Sequence, residues 1–130
     1  MFNVGDVVEI FAPTAGKKKY HLCVCCANDA GVVQFFFINS GDGYEADFVL
    51  ADRQIGDLPE SPTGKSVISC SIIVRYTPNQ MTLYKAKKIG TIEAGIASDL
   101  ADFISTSRAL PKKDRAGIAT ALGEYAMRSS

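Results

Sequence analysis

The chain has 130 residues, 47% of them hydrophobic and 22% charged, which suits one domain with its own core and no need of staples. Lysine plus arginine and aspartate plus glutamate each number 14, so the formal net charge is zero. A globally basic nucleic-acid binder is excluded, which leaves room only for a local basic patch. No apolar stretch approaches the roughly twenty residues of a membrane-spanning helix. Met1 to Asp6 carries neither a cationic start nor an apolar run, so the expectation is a cytoplasmic chain without a signal peptide.

The first two-thirds reads as strands. Asp6–Ala12 ("DVVEIFA") is the first, closed by Pro13. Tyr20–Cys26 ("YHLCVCC") is the second, with a turn signal at Asn28–Gly31. Val32–Asn39 ("VVQFFFIN") is β-branched and aromatic, as suits a central strand. Its Phe35 and Phe37 share a face and Phe36 takes the other. One face should be core, and the other needs a helix, a dimer mate or a peptide to cover it. Ser40–Gly43 reads as a turn, Tyr44–Ala51 as a short strand and Asp52–Lys65 as a long loop. Ser66–Tyr76 and Met81–Gly90 read as two more strands. Short, evenly spaced strands joined by turns suggest a small barrel or curled sheet.

The period then changes. Ile92, Ile96, Leu100, Phe103 and Ile104 recur at helical spacing, with Thr91 as the expected cap and Glu93 in the first turn. A second helix is expected to open at Pro111, with an apolar face of Ile118, Ala121, Leu122 and Tyr125. The expected architecture is one domain over residues 1–130. Residues 1–90 form the mainly β body and residues 91–130 a helical region, an α+β chain overall.

Gly16–Cys26 ("GKKKYHLCVCC") concentrates the reactive side chains: three lysines, the only histidine and three of the four cysteines. A metal site fails there on ligand spacing, since there is one histidine and no second Cys-x-x-Cys pair. Cys23 and Cys25 point to one face of a strand and read as reduced core residues. A Cys–His nucleophile needs an electropositive, partly open setting, which a buried strand does not supply. "PTAGKKKY" lacks the second glycine of a phosphate-binding Walker loop. Lys17, Lys18 and Lys19 read either as a solvated loop or as a cationic loop over a polyanion.

Several stretches, taken in order, resemble the MazF/PemK (Kid-like) toxins. "NVGDVVEIFAPTAGKKKYHLCVCC" is similar to that family's opening strand, Pro-Thr-x-Gly loop and apolar second strand. "FFFINSGDGYEADFVLA" resembles its third strand, polar turn and following strand, and "GKSVISCSIIVRY" with "KAKKIGTIEAGIASDLADFI" its closing strands and helix. The resemblance implies an SH3-like small β-barrel with C-terminal helices, a homodimer, and an antitoxin peptide as partner. It also implies a growth-inhibiting endoribonuclease that cuts single-stranded RNA with no metal or other cofactor. In that chemistry a base activates a 2′-OH, an acid protonates the leaving 5′-oxygen, and cations stabilise the phosphorane-like transition state.

The family's catalytic arginine and the proline after it fall on Tyr20 and His21. An Arg-x-Asp pair of one branch falls on Ser69-Cys70-Ser71. The arginine is absent, and a lysine cannot replace its bidentate grip on phosphate. The resemblance therefore assigns catalysis to His21 and Ser40, and RNA contacts to Lys17, Lys18, Lys19, Tyr20 and Arg75. The alternative is a MazF-like or SH3-like barrel that has no catalysis and binds a protein or nucleic acid.

Overall fold

A computed structural model describes residues 2–25, 30–40, 46–51, 55, 58 and 65–129. Cys26, Asn28, Asp29, residues 41–45 and most of the Asp52–Lys65 loop lie outside the described residues. The elements run β1 (Asp6–Ala12), β2 (Lys17–Cys25), β3 (Val33–Ser40), β4 (Phe48–Ala51), β5 (Lys65–Ile68), β6 (Val74–Tyr76), α1 (Pro78–Leu83), β7 (Lys87–Thr91), α2 (Ala94–Ser105) and α3 (Lys112–Ser129).

The seven strands form one antiparallel sheet in the order β4-β5-β3-β2-β1-β7, with β6 also on β3. The path is open: β4 and β7 are its ends, and no pairing joins them among the described residues. The protein is thus α+β, with a bent antiparallel sheet and C-terminal helices. Bulges between Val7 and Val8 and between Cys23 and Cys25 increase the local twist. No helix among the described residues is long and apolar enough to cross a membrane.

The lysine run, expected ahead of the second strand, belongs to it. Lys17, Lys18 and Lys19 pair with Ala12, Phe11 and Ile10, because the backbone ladder is indifferent to what the side chains carry. Gly16, at φ 66°, closes the hairpin and receives the chain where a β-carbon would be strained. The expected strand Ser66–Tyr76 is two strands, β5 on Ile38–Ser40 and β6 on Val33–Phe35, so both lie on one edge of β3. The expected strand Met81–Gly90 is instead α1 followed by β7. Thr77 caps α1, Gln80 reaches back to it in a capping box, and Pro78 opens the helix. α2 starts on Glu93, not Thr91, because Thr91 is still paired to Asp6 in β7.

Both faces of the sheet are buried. Val7, Leu22, Val24, Phe36, Ile38 and Ile68 pack on one side with Ile96, Leu100 and Ile104 of α2 and Ile118 and Leu122 of α3. Val8, Ile10, Cys23, Val33 and Phe35 pack on the other with Tyr76 and with Met81 of α1. The two phenylalanine faces are therefore covered within the chain, each fully buried Phe being worth about 1.5–3 kcal/mol.

α3 is tied to the sheet at Gly5, which has φ 92° and lies under the Tyr125 ring. The Tyr125 hydroxyl donates to Ile92 O at 2.6 Å. A β-carbon at Gly5 would sit 2.4 Å from that ring, whereas one at Gly117 in α3 meets nothing within 4 Å. Gly5→Ala is expected to destabilise by about 1–3 kcal/mol, and Gly117→Ala to stabilise by about 0.5–1 kcal/mol. Urea unfolding of the two variants checks the opposite signs.

Candidate nucleic-acid interface

Strand alternation divides residues Lys17–Cys23 of β2 between the two faces of the sheet. His21 pairs with Phe37 of β3 and with Val8 of β1. It is fully buried, and its ring lies 4.9 Å from Phe37, 5.5 Å from Tyr76 and 5.7 Å from Phe35. Its Nδ1 is 3.0 Å from Lys19 O, a group that only accepts, so Nδ1 carries the proton. Nε2 then accepts from the Tyr76 hydroxyl at 3.2 Å. Burial pushes the His21 pKa down to about 4. The residue assigned as acid or base is a neutral core histidine whose lone pair is already engaged.

Lys17 and Lys19 share His21's face, nearer the open end of the strand. Lys19 donates to Asn39 Oδ1 and its ammonium lies 4.8 Å from the centre of the Phe37 ring. Burial, with Lys17 beside it, holds the Lys19 ammonium below its ordinary pKa. Lys17 is exposed.

Lys18 and Tyr20 lie on the opposite face. Tyr20 pairs with Ile38, so Ser40, exposed at the end of β3, is its diagonal neighbour at about 7–8 Å. Glu9 of β1 lies opposite Tyr20 on one side and Lys87 of β7 on the other. Glu9 Oε1 is 3.8 Å from Lys18 Nζ. Partial burial, and then the Glu9 carboxylate, raise the Tyr20 pKa. Phe11 lies opposite Lys18 and is 37% exposed. The open end of this face thus carries Ser40, Lys18, Tyr20, Glu9, Phe11 and Lys87 on four adjacent strands.

Arg75 does not join them. It pairs with Gln34, six residues along β3 from Ser40 and hence roughly 20 Å away. Its guanidinium reaches Asp114 of α3 at 3.5 Å. Cys23 and Cys70 are buried, and burial pushes the Cys70 thiol up to about 12. Among the described residues no three histidine, cysteine or carboxylate side chains come together to hold a metal.

Sequence reading missed Glu9, Phe11 and Lys87. The period-2 pattern of "DVVEIFA" does set Glu9 and Phe11 on one face. The pairing that brings Lys87 beside them had no signal, because the stretch ahead of it reads as strand. No family model matches the chain, and a search of curated proteins returns no match.

His21 makes stability depend on pH. The unfolded chain protonates this histidine near pH 6.5 and the folded chain only near 4. Between those values the unfolded state binds more protons, so stability falls as pH falls. From pH 7 to pH 5 the loss is expected to be on the order of 2 kcal/mol. Urea unfolding at the two pH values reads it, and His21→Phe should flatten the difference even if it lowers stability at both.

Proposed function

We propose that this chain is a MazF/PemK-like domain, built on a variant of the SH3-like barrel, that binds single-stranded RNA without cutting it. The RNA lies on the open end of the sheet, across β3, β2 and β1. The observation that supports this is the division of β2. His21 is shut into the core with its lone pair engaged, while Lys18 and Tyr20 remain on the accessible face beside Ser40. Lysines neutralise phosphates without sequence readout, and the half-exposed Tyr20 offers a ring and a hydroxyl. A second copy of the chain and an antitoxin peptide are the partners that the family resemblance adds, and the cytoplasm is the compartment.

A second reading is the metal-independent endoribonuclease that inhibits growth. It is favoured by one arrangement: a carboxylate (Glu9), an ammonium (Lys18) and two hydroxyls (Tyr20 and Ser40) share one face of adjacent strands. In that reading Glu9 takes the base role that His21 cannot reach.

Fluorescence anisotropy with a labelled single-stranded RNA pool separates the readings. Binding is expected at low salt, with log affinity falling against log salt by about 0.7 per neutralised phosphate. Lys18→Gln should reduce that slope by about 0.7, and the RNA should remain intact in chelator. No binding at low salt would sink the proposal. Chelator-resistant cleavage that Ser40→Ala or Glu9→Gln abolishes would establish the second reading instead.

A further inference from the structure

Phe11 leaves 37% of its surface exposed, although it lies on a face whose inner positions are packed under α2 and α3. It is not a loose side chain. Its backbone N–H donates to Tyr84 O at 3.1 Å, and the two rings lie 6.1 Å apart at 44°. Tyr84 is itself held. Its N–H donates to Gln80 O at 2.8 Å at the end of α1, and its ring lies 6.0 Å from Tyr76 at 71°, an edge-on contact. The result is a half-open aromatic corner on rigid backbone at the edge of β1.

Cations surround that corner on both sides. Lys18 lies opposite Phe11 on β2. Lys85 follows Tyr84 with φ 56°, in the left-handed region, and is exposed. Lys87 follows on β7, opposite Glu9. The one carboxylate among them, Glu9, is offset by Lys18 at 3.8 Å. An aromatic surface flanked by ammonium groups fits a chain that presents flat rings and regularly spaced negative charge. A second copy of this chain would bring the same positive charge against itself, which opposes docking.

We infer that Phe11 and Tyr84 form a stacking subsite for an unpaired base of single-stranded RNA, with Lys18 on one side and Lys85 and Lys87 on the other holding its phosphates. The base lies against the open face of Phe11, with Tyr84 as the wall. The inference rests on the RNA-binding reading above and extends its track from β3 across β1 to the start of β7. Duplex RNA keeps its bases stacked inside the helix and cannot fill the subsite.

Anisotropy titrations with three labelled probes test it: a short oligouridylate, an abasic ribose–phosphate strand of the same length, and a duplex. The intact protein should bind the oligouridylate roughly five- to hundred-fold more tightly than the abasic strand. Phe11→Leu keeps the apolar volume and removes the ring, so it should erase most of that ratio while leaving abasic-strand binding unchanged. Equal binding of the two single strands by the intact protein overturns the inference and leaves the RNA-binding reading standing. So does a ratio untouched by Phe11→Leu, or equal binding of the duplex. If Phe11→Leu instead breaks a dimer with RNA affinity unchanged, the corner is a self-association surface and the inference fails. No binding of any probe at low salt overturns both the inference and the reading beneath it.

Discussion

β2 is held on both sides by antiparallel ladders, to β1 and to β3, and the rest of the molecule follows from that double pairing. A strand paired on both edges cannot rotate about its axis. Each side chain from Lys17 to Cys23 is therefore committed to one face, alternately. One residue of slip would exchange the faces. It would place Lys18 and Tyr20 in the aromatic pocket and His21 under the helices. The burial of Phe35 on one side and Phe36 on the other makes such a slip untenable, because β3 has no polar face to offer.

The two-sided sheet explains how a neutral histidine comes to be stable at the centre. An imidazole removed from water without partners is costly, by about 1–3 kcal/mol on protein scales. Here each ring nitrogen has one partner, the Lys19 carbonyl and the Tyr76 hydroxyl, and aromatic rings fill the remaining contacts. The arrangement also ties β2 to β6, two elements fifty-five residues apart. Tyr76 in turn touches Tyr84, and Tyr84 touches Phe11. A chain of rings thus runs from the buried histidine to the exposed end of β1, giving the outer aromatic corner a rigid footing.

Function on this scaffold belongs to the residues that the core does not consume. Near the outer ends of β1, β2 and β3 and the start of β7, the alternation leaves lysines, Ser40 and Phe11 exposed and Tyr20 half-exposed without disturbing the packing. Arg75 shows the opposite case. It lies on the same sheet face, but beside α3, where Asp114 pairs with its guanidinium. A net charge of zero is compatible with this, since the lysines gather at one end while acidic residues such as Asp6 and Asp114 are engaged elsewhere.

The sequence alone determined the strands with strong local signals: β1, most of β2, and β3, together with α2 and α3. Their apolar periods and punctuating glycines and prolines are local properties. It determined also that Cys23 shares a face with His21, and that Phe35 and Phe36 take opposite faces, because an unbroken strand's period is two. The bulge before Cys25, which pairs with Gln34 next to Cys23's partner Phe35, breaks the expected shared face of the two cysteines. Only the tertiary structure decided which face is core. That choice depends on where α1, α2 and α3 dock, and no residue of β2 encodes it by itself. It removed His21 and Arg75 from the exposed end of the sheet and kept Lys18, Tyr20 and Ser40 there. The break between β5 and β6 and the replacement of a strand by α1 also came from outside their own segments. Two short strands share one edge of β3, and the Thr77–Gln80 capping box outweighs a β-prone run.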